Sequence, residues 1–178
     1  MKIMIASDIH GSAKYCGELM KAFSGEKPDR LLLLGDLLYH GPRNALPGKY
    51  DTKEVAGMLN GIKESVLCVR GNCDCEVDQM MLDFPIMAEY CLLFAKNKVI
   101  FATHGHVFNK SNRPEADILL HGHTHIPAWE DLGGGRLYVN PGSVSIPKGG
   151  SVHSYMVLTD EGMFWKNLAG EIYHTKSF

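Results

Sequence analysis

Short apolar runs that stop abruptly at polar or glycine positions recur along the first half of the chain. Lys2–Ser7 is one such run, Arg30–Leu34 a second and Ser65–Val69 a third, and each reads as a buried strand. Between them the spacing changes. Tyr15, Cys16, Leu19, Met20 and Phe23 recur at intervals of three and four, which predicts an amphipathic helix over Ser12–Phe23 with Ser12 as its N-cap. A second helix is predicted from Asp51 or Thr52 to about Ile62, and a short one over Glu76–Leu82. Residues 39–50 (YHGPRNALPGKY) concentrate Gly, Pro and Asn and read as a loop over the strand ends.

The second half is richer in strands. Tyr90–Ala95 and Lys98–Thr103 flank a turn at Lys96-Asn97-Lys98, and Asp117–Leu120 is another short buried strand. Arg136–Asn140 leads into Pro141-Gly142-Ser143, and Ser154–Thr159, Met163–Asn167 and Glu171–His174 read as a closing meander. The Gly133-Gly134-Gly135 run is a hairpin tip, since no helical pattern follows it as a phosphate loop would require. Strand–helix units followed by mostly antiparallel strands predict an α/β protein of two packed sheets with helices outside. No linker interrupts the 178 residues, so a single domain over 1–178 is expected.

Composition changes this picture little until histidine is reached. Charged residues make up 21%, and 18 basic against 20 acidic residues give a formal charge of −2. That balance provides no field for nucleic acid or an anionic membrane. The apolar segment Ile3–Ala6 is too short for a signal peptide, and the longest apolar run, Tyr90–Ala95, is far short of a membrane span. Five cysteines without a CxxC pair predict reduced thiols and a cytoplasmic protein. Of the nine histidines, His104, His106, His121, His123 and His125 crowd into one stretch.

That stretch belongs to a wider pattern. The first strand ends in Asp8-Ile9-His10, the second in Gly35-Asp36 and the third in Gly71-Asn72-Cys73-Asp74. Later strands end in Thr103-His104-Gly105-His106 and Gly122-His123-Thr124-His125. Each motif alone reads as a turn or a structural side chain. Five together, each closing an apolar run, point to a metal site at the carboxyl ends of strands, of a donor set suited to Mn, Fe or Zn.

The order DxH…GD…GNxD…H…GHxH resembles the calcineurin-like metallophosphoesterase superfamily over nearly the whole chain. HGPRNALP (40–47), RGNCD (70–74), EVDQM (76–80), THGH (103–106) and NPGSVSIPKGG (140–150) narrow the likeness to its small bacterial phosphodiesterases. The resemblance implies an αββα sandwich of two mixed sheets flanked by helices. It also implies two divalent cations at the strand ends, Mn foremost, with Fe, Ni, Zn or Mg as alternatives. Carried over, one cation takes Asp8, His10, Asp36 and His125, the other Asp36, Asn72, His104 and His123, and Asp36 bridges. An extended strand exit would point Asp8 and His10 the same way. His106 and His121 fall outside the ligand set.

The implied chemistry is hydrolysis of small phosphodiesters by a bridging hydroxide that the metal pair activates. Asp36 and Asn72 are its catalytic ligands. Cys73 stands where many relatives carry a histidine that protonates the leaving group, and Asp74 follows it without that partner. Cys73 either ionises beside the metals, and as a thiolate cannot donate, or only packs; in both cases diesters with good leaving groups should react better than alkyl monoesters. His40 and Arg43 are the expected substrate-phosphate contacts, with His40 also a substitute acid. The 140–143 turn is expected to support the site. A homodimer or tetramer is the expected assembly. The competing reading is a catalytically silent scaffold of the same fold that acts in protein–protein interaction. Such scaffolds lose ligands, whereas all seven positions are filled here. A closed structural zinc site would need paired Cys/His ligands and does not fit.

Overall fold

A computed structural model describes residues 1–178. The elements are β1 (Ile3–Ala6), α1 (Ala13–Glu26), β2 (Arg30–Leu33), α2 (Thr52–Asn60), β3 (Val66–Cys68) and α3 (Glu76–Met81). They continue with β4 (Tyr90–Ala95), β5 (Lys98–Thr103), β6 (Ile118–His121), β7 (Ala128–Gly133) and β8 (Arg136–Asn140). The chain closes with β9 (Ser154–Leu158), β10 (Gly162–Asn167) and β11 (Ile172–Ser177). One sheet has the order β11-β10-β9-β1-β2-β3 and the other β4-β5-β6-β8-β7.

β1 and β2 are buried on both faces, which is why they read as unbroken apolar runs. Met4, Ala6, Leu31 and Leu33 face α1 and α2, while Ile3, Ile5, Leu32 and Leu34 face the second sheet. α1 starts where Ser12 accepts from the Tyr15 amide and ends at Lys27, whose left-handed backbone returns its N–H to Phe23. The outer face of the second sheet holds Phe101, Leu119 and Tyr138 under Phe108 and Ala116, so the 104–117 loop covers it.

Three features add to these expectations. The second half is mostly antiparallel, as expected, but β5–β6 and β6–β8 pair in parallel. The long 104–117 connection is a crossover, and it brings the ends of β5 and β6 to one rim. The final meander belongs to the first sheet, where β9 lies antiparallel beside β1. The strand β7 over 128–133 was not anticipated. It is an edge strand with mostly exposed positions, so no buried face imposes alternation on AWEDLG.

Candidate metal centre

Five connections leave the parallel strand ends on one rim, and the motif side chains meet there. Asp8, His10, Asp36, His104 and His125 are buried, His123 is half-buried and Asn72 is exposed. Three overlapping groups each bring ligand atoms within 4.8 Å of one another: Asp8, His10 and His125; Asp8, Asp36 and His104; and His10, Asp36 and Cys73.

The backbone that aims them is left-handed, not extended. Asp8 (φ 60°), His10 (50°), Asp36 (56°), His123 (65°) and His125 (62°) all occupy that region. Asp8 and His10 therefore converge through successive tight turns and not through strand pleat, which corrects the extended-exit expectation. Asp and His tolerate this conformation better than most side chains, at about 1–3 kcal/mol each. Glycines provide the clearance. A Cβ on Gly71 would overlap Asp36 Oδ1 and the Asp36 amide, so that position accepts only glycine.

Each carboxylate has one oxygen tied to backbone and one turned to the imidazoles. Asp8 Oδ2 accepts from His123 N (3.1 Å), while Oδ1 is buried without a hydrogen bond, 3.2 Å from His125 Nε2 and 3.6 Å from His10 Nε2. Asp36 Oδ1 accepts from Cys73 N (2.8 Å), and Oδ2 lies 3.6 Å from His10 Nε2 and 3.4 Å from His104 Nε2. Three rings donate Nδ1–H to carbonyls: His10 to Tyr39 O (2.8 Å), His104 to Leu34 O (2.6 Å) and His125 to Ile146 O (2.6 Å). A carbonyl can only accept, so each ring turns its other nitrogen inward.

The result is a set of inward nitrogens that face one another and the two carboxylates. His10 Nε2 and His125 Nε2 lie 3.3 Å apart, and His104 Nε2 lies 3.1 Å from both His123 Nδ1 and Asn72 Oδ1. Facing lone pairs and an orphaned buried carboxylate oxygen fit a cation-binding centre. Burial disfavours the charged form of His104, but Asp36 and Asp8 raise it to about 9. His10 is raised by Asp8 and Asp36 against the same burial. Burial pushes Asp8 up, yet His10, His125 and His104 hold it well below the carboxylate range. His123 is lowered by burial and by the His104 charge.

Beneath the rim, Ser143 and Ser145 donate to Asp8 O (3.0 Å each), and Asn140 Nδ2 donates to Gly122 O (2.9 Å). The 140–143 turn thus supports two motif segments, as expected. Asp74 lies under the centre and not in it. Its carboxylate accepts from the amides of Asp36 (2.8 Å), Leu37 (2.8 Å) and Gly71 (2.7 Å), so it clamps the two loops that carry Asp36 and Asn72. With both oxygens engaged it has no free face for proton transfer, which corrects its place among the catalytic candidates.

A cavity of about 470 Å3 opens over the cluster, lined among others by Asp36, Asn72, Cys73, His123, His125, Arg43 and Lys148. His40 does not line it. Its ring packs edge-on between Tyr39 (4.8 Å) and Tyr50 (5.3 Å), which corrects its expected contact with substrate. Cys73 does line it, and burial and then Asp36 push its thiol up to about 12. His106 is exposed at the rim, 5.4 Å from the His104 ring, and His121 is buried against Tyr138. Lys148 was missed, because nothing local in IPKGG distinguishes it from a surface lysine.

The chain belongs to the calcineurin-like phosphoesterase superfamily, whose domain matches residues 1–162. Within that family it is 47% identical over 164 residues to phosphodiesterase YfcE of Escherichia coli (strain K12), covering 90% of this chain and 89% of the relative. A solved structure of Yfce, a phosphoesterase from E. coli, superposes with a TM-score of 0.94 at 43% identity over 99% of both chains. Vps29 from Entamoeba histolytica matches at a TM-score of 0.68 and 21% identity, over 100% of this chain and 99% of that one, a likeness of fold alone. No helix is long and apolar enough to cross a membrane.

Proposed function

We propose that this chain is a metal-dependent phosphodiesterase acting on small substrates, with residues 1–178 as one catalytic domain. Two divalent cations, manganese foremost, would occupy the strand-end centre. One would take Asp8, His10, Asp36 and His125, the other Asp36, Asn72, His104 and His123. The observation that carries this reading is the convergence of carbonyl-anchored imidazoles, bare nitrogens inward, on two buried carboxylates. When bound, such a pair brings the pKa of a shared water toward about 7 and supplies positive charge for phosphate oxygens.

The chain's own residues do the rest. Asp36, with one oxygen fixed by Cys73 N, presents the other midway between His10 and His104. Asn72 is neutral and leaves its cation more electrophilic than a carboxylate would. In the net reaction a water oxygen bonds to phosphorus, the bond to one alcohol breaks, and that alcohol takes up the proton the water loses. Cys73 is the cavity's one titratable group apart from the ligand set and two rim cations, and a thiol held at about 12 is a weak acid. Leaving groups that depart without a proton are favoured, so aryl diesters should outpace alkyl monoesters.

The five free thiols support a cytoplasmic setting. Exposed Leu92 and Phe94 on the edge strand β4 support pairing into a dimer or tetramer. The full ligand set argues against a silent scaffold. A metal-titrated screen of diesters and monoesters, run beside His125→Ala, tests the reading. Metal-dependent diester turnover lost in the variant is expected, and equal turnover by both proteins would contradict it.

A further inference from the structure

Resting on the phosphodiesterase reading, we propose a second anion subsite formed by Arg43 and Lys148. Its preferred substrates are diesters in which one alcohol carries a further negative charge, a carboxylate or a second phosphate.

The composition of the cavity comes first. Of its 11 lining residues only Pro42 and Cys73 offer apolar surface, and none is Phe, Tyr, Trp, Leu, Ile, Val or Met, so no large apolar platform is present to hold a base or an acyl chain. Recognition beyond the scissile phosphate must be polar. The lining combines candidate ligands, Asp36, Asn72, His123 and His125, with two cationic side chains, Arg43 and Lys148.

Charge comes second. A plain phosphodiester bears one negative charge. Two divalent cations set against Asp8 and Asp36 already exceed it. Arg43 and Lys148 add two positive charges and have no carboxylate partner, whereas Lys110 and Lys98 do. A substrate with a single charge leaves them unmatched, and one with an anionic arm satisfies them.

Placement comes third. Lys148 rides on the strap that orients His125. His125 Nδ1 donates to Ile146 O (2.6 Å), Lys148 N donates back to His125 O (3.0 Å), and Ser151 N and Oγ close the strap on Lys148 O (3.1 and 2.7 Å). Its distance from the metal centre is therefore set by a candidate ligand. Arg43 sits in a turn closed by Asn44 Nδ2 on His40 O (2.8 Å), packed over Cys73 through Gly41. The two cations approach one cavity from independent segments, each braced against a motif of the centre.

The test uses two p-nitrophenyl diesters whose second alcohol is 2-carboxyethyl or its isosteric amide, 2-carbamoylethyl. Leaving group and size are the same, and only the charge of the arm differs. Wild type should prefer the carboxylate in kcat/KM by about tenfold, a preference that shrinks with added salt. Lys148→Met should cut the ratio of the two rates severalfold, and Lys148→Arg should restore it. Calorimetry with 3-phosphonopropionate, which is not cleaved, should show weaker binding to Lys148→Met and Arg43→Ala than to wild type. A wild-type ratio near one, equal losses on both diesters, or unchanged binding of the phosphonate would each overturn the subsite. Hydrolysis of neither diester would instead overturn the phosphodiesterase reading, and the phosphonate binding would still decide the subsite.

Discussion

Two parts of the cavity wall, the candidate ligands and the free cationic side chains, are built on different rules. On the ligand wall, Asp8, His10, Asp36, His104 and His125 are buried, and each is tied at a second atom to backbone. Five of the seven candidate ligands hold left-handed backbone. In the cationic part, Arg43 and Lys148 are exposed, with backbones braced and side chains without a carboxylate partner. A metal centre tolerates little error in its ligands, so strain is accepted where the rest of the fold over-determines it. Substrate arms vary, and long unpaired side chains accommodate that variation.

The largest break in this comparison comes from the ligand wall. Asp36→Asn should lower metal-saturated diester turnover at least about a hundredfold, because a neutral amide replaces the carboxylate that faces both His10 and His104. Steady-state rates across a manganese titration check it. Asp74→Ala should act through position alone. It frees the amides of Asp36, Leu37 and Gly71, and metal affinity should fall about 10–100-fold while the protein stays folded. Equilibrium metal titration with a circular dichroism control measures it.

In the same lining, Cys73→His tests the weak-acid argument. An imidazole at that position should raise alkyl monoester turnover relative to aryl diester turnover, read from kcat/KM on both substrates. The smallest effect lies far from either part. Burial pushes the Glu26 carboxyl up, but Lys166, Lys2 and Tyr155 outweigh it and bring it down to about 2. A depressed carboxylate adds stability that is present above its unfolded value of about 4.3 and lost as pH falls toward 2. Thermal melts from pH 7 to 2 should show that acid limb, and Glu26→Gln should flatten it.

What could be read from the sequence follows the same division. The ligand wall was legible because each motif closes an apolar run, and burial on both faces makes β1 and β2 unmistakable. The strand ends announce the chemistry but not how they meet. The parallel β5–β6–β8 pairing depends on a crossover through a loop without periodicity. The left-handed turns at Asp8, His10 and Asp36 are set by tertiary packing, with the neighbouring Gly11 and Gly35 as their local signs. β7 stayed hidden because an exposed edge strand carries no alternation. The cationic part of the lining was the least legible. His40 sits in the same loop as Arg43 but is held by Tyr39 and Tyr50, and Lys148 gains its place only through the strap to His125.

The central claim is that seven side chains hold two cations with Asp36 between them. Counting manganese per folded chain after equilibrium dialysis tests it most directly. Wild type should bind two, and His125→Ala and His104→Ala one each, because each variant removes a ligand from a different position. One cation or none in wild type, or two in both variants, would contradict the account.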